Sequence, residues 1–110
     1  MATNAFSPTG LTVSFTAATT APTSAQAISR APVTNPAREY RVVNAGAELV
    51  LLGVGGDDTA AKAAAVSIAA GAVPILPGAV EILGFPAGSY FTGDTASGTS
   101  VVYVTPGVGL

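Results

Sequence analysis

Leu11-Thr-Val-Ser-Phe-Thr-Ala17 alternates strictly, with Leu11, Val13, Phe15 and Ala17 on one side and Thr12, Ser14 and Thr16 on the other. Period-two alternation of apolar and β-branched polar residues is the pattern of a half-buried strand, because successive side chains leave a strand on opposite faces. The same grammar recurs at Glu39-Tyr-Arg-Val-Val-Asn44, where Tyr40 and Val42 oppose Arg41 and Val43. It recurs again at Ala79–Phe85, where Val80 and Ile82 oppose Glu81 and Leu83, and at Thr99–Thr105, where Val101 and Tyr103 oppose Val102 and Val104. Glu48–Val54 is almost wholly aliphatic, as a strand covered on both faces would be.

Between these stretches stand turn formers. Pro22, Pro32, Pro36, Asn44-Ala-Gly46, the glycine-rich Gly53–Asp58, Pro74–Gly78, Pro86-Ala-Gly88 and Gly93–Gly98 punctuate the chain. The short gap between 39–44 and 48–54 predicts a hairpin. Ala25–Arg30 and Ser89–Thr92 read as short strands. One segment reads as helix: Thr59–Ala65 is Ala-rich, with Asp58 placed to cap it, and Val66, Ile68 and Gly71 soon interrupt it. The fold expected is all-β: a small β-sandwich or jelly-roll-like barrel of about six to eight short antiparallel strands, with at most one short helix near 59–66. Residues 1–10 read as an extended N-terminal arm and 11–110 as a single β domain.

Composition narrows the function. Among 110 residues there are four Lys or Arg, six Asp or Glu, and no His, Cys or Trp, while 49% are apolar. Near neutral pH, acid–base catalysis leans on His or on retuned carboxylates and amines, so an enzyme is not expected. Only 9% of residues are charged, against roughly 25% in an ordinary soluble domain. A surface so short of charge suggests cover by other protein. The net charge of −2 argues against binding a phosphate backbone. No cationic, apolar leader is visible at the start, and Gly71, Pro74, Pro77 and Gly78 break the uncharged run 63–80, so a soluble protein without a membrane span is expected.

Each chemical motif has a plainer counterpart. Leu51-Leu-Gly-Val-Gly-Gly-Asp-Asp58 superficially suggests a dinucleotide fingerprint, but Asp58 stands where the third glycine belongs and two carboxylates would face the phosphate. Asp57, Asp58 and Asp94 lack the spaced loop of a calcium site. Serine chemistry would rest on Ser67 and Lys62 without a histidine. A sugar platform would have to come from Tyr40, Tyr90 and Tyr103, all at strand positions where packing accounts for them. No catalytic residue, metal ligand or cofactor is expected.

Glu39-Tyr-Arg-Val-Val-Asn-Ala-Gly46, Val73-Pro-Ile-Leu-Pro-Gly-Ala-Val-Glu81 and Val101-Val-Tyr-Val-Thr-Pro-Gly-Val-Gly-Leu110 together resemble small virion proteins of tailed bacteriophages, of the capsid decoration or cement type. The resemblance spans roughly Tyr40 to Leu110. It implies a structural protein that assembles as a dimer or trimer on the capsid exterior and bridges capsomers. The partners implied are the major capsid protein and copies of itself, with no nucleic acid and no membrane. A tail or head–tail connector component and a small carbohydrate-binding surface module are the alternatives. Interface candidates are Phe6 and Leu11 near the arm, the cations Arg30, Arg38 and Arg41, and Val108 and Leu110 at the end.

Overall fold

The computed structural model describes residues 6–28 and 38–108. In chain order it contains β1 (Ser7–Pro8), β2 (Val13–Ala17), β3 (Ala25–Gln26), β4 (Glu39–Asn44), β5 (Val50–Gly55), α1 (Asp58–Ala65), β6 (Val73–Ile75), β7 (Val80–Gly84), β8 (Tyr90–Asp94) and β9 (Ser100–Val108). The strands form two antiparallel sheets. In the first, β9 is flanked by β1 and β2 on one side and by β4 on the other, and β4 continues to β7. The second runs β3-β8-β5-β6. This is the all-β sandwich expected, with its one helix.

The alternation decides what faces inward. Phe15 and Ala17 of β2, Tyr40 and Val42 of β4, Val50 and Leu52 of β5, and Val102 and Val104 of β9 are buried in one core with Ala27, Ile75 and Phe91. Tyr40, Phe85 and Phe91 meet ring to ring, the closest centroids being 4.9 Å apart. The Tyr40 hydroxyl reaches out of this cluster to donate to the Pro86 carbonyl at 2.8 Å, so its polar end is satisfied.

The hairpin expected between 39–44 and 48–54 does not form, because β4 and β5 lie in different sheets. Asn44 redirects the chain. Its buried side-chain amide donates to the carbonyls of Glu48 and Ile75 at 2.8 and 3.0 Å. Its oxygen accepts from Ser100 Oγ at 2.6 Å and from the Gly46 N–H at 3.2 Å. Every donor and acceptor of that side chain is therefore occupied. The amide pins the end of β4 to β6 and to the start of β9, and the following residues cross to the second sheet.

Three boundaries also differ. Val73–Ile75 forms β6 where a connection was expected, which an edge strand permits although Pro74 offers no N–H. The strand expected over Ala25–Arg30 is only Ala25–Gln26, and Arg30 lies outside the described residues. The last strand runs on through Pro106 to Val108. Register explains this: β1 and β2 pair with β9 two residues out of step, and Pro106 sits at that step, where the missing N–H breaks no regular ladder.

The helix roofs the outer face of the second sheet. Its N-cap is Asp57, not the expected Asp58, and Asp57 accepts from the Ala60 N–H at 2.7 Å. Ala61 and Ala65 are its buried residues. A Cβ on Gly53 would lie 2.6 Å from Ala65 Cβ, and one on Gly55 would lie 2.6 Å from Ala60 Cβ. Gly53 and Gly55 are therefore the clearance that lets the helix approach β5, which accounts for the glycine run without any phosphate.

Candidate functional site: an uncovered sheet face

Among the described residues, no helix roofs the first sheet. Pairing in register sets Ser14, Tyr103, Val43 and Val80 side by side across four strands. The next row is Thr105, Arg41 and Ile82, and Val101 stands beside Thr16. All point away from the core, since their chain neighbours Phe15, Val42, Val102 and Val104 are buried inside it. Tyr103 is 43% exposed and Val80 60% exposed. Leu76, 64% exposed, stands in the turn that leads into β7.

One end of this face is covered by the chain itself. The Phe6 ring lies against Gly107, where a Cβ would stand 2.6 Å from Phe6 Cε1. The Arg41 guanidinium carbon is 5.4 Å from the centre of the same ring, within cation–π reach. Thr12 and Thr105 share a hydroxyl hydrogen bond of 2.7 Å close by. The rest of the face, Val101, Tyr103, Val43, Val80 and Ile82, is apolar and carries no charge.

The expected interface residues fall in different places. Phe6 packs on its own domain, and Arg41 lies beneath it. Leu11 is 70% exposed and Val108 is 38% exposed. Arg38 is exposed just ahead of β4, its carbonyl accepting from the Phe85 N–H at 2.9 Å. Arg30 and Leu110 lie outside the described residues. The three tyrosines share no surface: Tyr40 is in the core, Tyr90 belongs to the second sheet, and Tyr103 to the outside of the first. Tyr103 is not accounted for by packing within its own domain, contrary to the sequence reading.

Val43, Val80 and Ile82 were not singled out from sequence, and Tyr103 only as part of a possible sugar platform. Their signal was nonetheless present, because Val101–Val104 and Ile82-Leu83 are apolar at both parities of the alternation. A strand in a sheet with one face in water spends its second parity on polar residues; these do not.

The acidic residues have structural work. Asp58 Oδ1 accepts from both the N–H and the hydroxyl of Ser24 at 2.7 Å, and Oδ2 meets Lys62 Nζ at 3.0 Å. The Ser24 N–H first, then its hydroxyl and Lys62, hold the Asp58 carboxyl down to about 2 from the usual 3.8. Asp94, on the helix-roofed face of the second sheet, borders two shallow adjoining cavities of about 310 and 370 Å³ that also share Thr19 and Val66. Burial pushes its carboxyl up, against the opposing pull of a hydrogen bond from the Ala21 N–H. Its Oδ1 is buried and has no hydrogen-bond partner among the described residues. Among those residues, no three His, Cys, Asp or Glu side chains gather as a metal site, and no helix is long and apolar enough to cross a membrane.

Compared with protein-family models, curated proteins and solved structures, the chain finds no match.

Proposed function

We propose that this chain is a structural, non-enzymatic subunit of a viral particle, a decoration or cement subunit that sits on the outside of a tailed-phage head and bridges neighbouring capsomers. The observation that carries the reading is the uncharged apolar face formed by Val101, Tyr103, Val43, Val80 and Ile82. The scarcity of charge in the whole chain and its sequence resemblance to such virion proteins support it.

Size indicates how such a face would work. Four strands about 4.8 Å apart, each presenting about five residues of about 3.3 Å, span on the order of 300 Å². A stable one-to-one complex buries about 800 Å² on each partner. One such contact is too small to hold alone. Many copies on a repeating lattice, each contributing a modest contact, gain through multivalency what a single contact lacks.

The test is the copy number of this chain in purified particles, measured by quantitative mass spectrometry against the major capsid protein. Hundreds of copies are expected of a cement subunit. Six or twelve would transfer the chain to a tail or connector ring, and absence from particles would reject a virion role. Removing residues 1–10 without loss of occupancy would limit the contact to the sheet face and exclude the arm.

A further inference from the structure

Among the described residues, four strand edges bound the two sheets, and three are blunted. The β3 edge is two residues long, and the β6 edge is three residues long with Pro74 in the middle. The edge made by β1 and β2 carries Pro8 and curls onto the second sheet, where Ala18 bridges Asp94 in parallel and the Thr95 N–H donates to the Ala18 carbonyl at 2.8 Å. Short length, proline and closure are the usual protections against strand-to-strand association.

The fourth edge is β7. It is five residues long, Val80-Glu-Ile-Leu-Gly84, with no proline and no lysine. Its pairing with β4 is regular along its whole length. Just outside it, the Asn44 N–H donates to the Ala79 carbonyl and the Phe85 N–H to the Arg38 carbonyl. Residues 79 and 85 thus turn their bonding groups toward β4, and the alternation gives 81 and 83 the same direction. Val80, Ile82 and Gly84 turn their N–H and C=O groups the other way, off the sheet.

We infer that β7 is a self-association edge, on which a second copy of this chain adds its own β7 antiparallel about a two-fold axis at Ile82. Two features favour a copy as occupant. A two-fold at Ile82 brings Ile82 opposite Ile82 and Val80 opposite Gly84, so the three outward residues of each copy meet in bonding register. Glu81, the only charge on the strand, falls opposite Leu83 and not opposite its own copy. Across the seam the Ile82 row then meets Ile82 and Arg41 of the second copy, and the Val80 row meets Gly84 and Glu39. The result is one continuous sheet with Val80 and Ile82 of both copies at its seam. The inference deepens the assembly reading and rests on it for the expectation that this chain meets copies of itself.

The natural sequence contains no cysteine, so a single introduced thiol reports the register cleanly. Directly opposed residues in a bonded antiparallel pair stand about 5.5 Å apart between Cα atoms, within disulfide range. Ile82→Cys is therefore expected to give disulfide-linked dimers on mild oxidation. Val80→Cys, about 13 Å from its counterpart in that register, is expected to form no disulfide-linked dimer. Sedimentation of the unmodified chain should show a dimer that dissociates on dilution, and Ile82→Pro should abolish it with the fold retained by circular dichroism, because the lost N–H faces away from β4. Equal cross-linking of the two cysteine variants, or a chain monomeric at every concentration, overturns the inference. A monomer that is abundant on particles sinks the edge pairing alone, whereas a dimer absent from particles sinks the virion reading alone.

Discussion

The two sheets turn opposite problems outward. The second sheet lies under an alanine helix fitted onto glycines, with a capped and clamped first turn. The first sheet presents valine, isoleucine and tyrosine to the outside, and among the described residues Phe6 lies over one end. Where this chain covers its own sheet it uses small residues and close approach. Where it does not, the side chains are larger and mostly apolar, with Glu39 and Arg41 at the end where Phe6 lies. The difference separates a surface built for stability from a surface available for contact.

Substitutions should divide along the same line. The largest effect is expected under the helix: Gly53→Val sets a branched side chain against the Ala61 carbonyl and Ala65, and should lose about 3 kcal/mol in urea unfolding. Asp57→Ala removes the cap and should cost about 1 kcal/mol by the same measurement. On the bare face, Tyr103→Ser combined with Val80→Thr should change stability by less than about 0.5 kcal/mol while markedly lowering occupancy on particles. A loss of several kcal/mol there would assign the face to the fold and erase the contrast.

The pH effects are smallest. Asp58, held near 2 in the folded chain, contributes stability above its unfolded value of 3.8 that fades as pH falls toward 2. Asp58→Asn should flatten thermal melting profiles across that interval. Asp94 has the opposite sign, because its raised folded value makes the native state hold the proton longer. Asp94→Asn should therefore raise the melting temperature at pH 7, and the gain should vanish below pH 3.8.

Much of this architecture was legible in the sequence because alternation is a local property. The strands at 13–17, 39–44, 80–84 and 100–105 follow from period two alone, and the helix from its alanines and aspartates. Strand partnership was not local. Nothing between 39 and 54 announces that Asn44 will find Ile75 and Ser100, and without those bonds a hairpin is the economical reading. The bare face was half visible: β7 and β9 showed apolar residues at both parities, as did Val42-Val43 in β4. That Tyr103, Val43 and Val80 share one row depends on register, which only the paired sheet supplies.

The order of strands in the first sheet has a bearing on how the chain is made. Its central strand, β9, comes later in the chain than β1, β2 and β4, yet all three bond to it. Until residues 100–108 are made, the earlier strands wait without their template, and pairing β1 with β9 closes a loop that runs from Ser7 to Val108. Such topologies mature over milliseconds to seconds, not microseconds. Shortening the chain ahead of Ser100 should therefore leave the nascent product dependent on chaperones, with its greasy strands unsheltered.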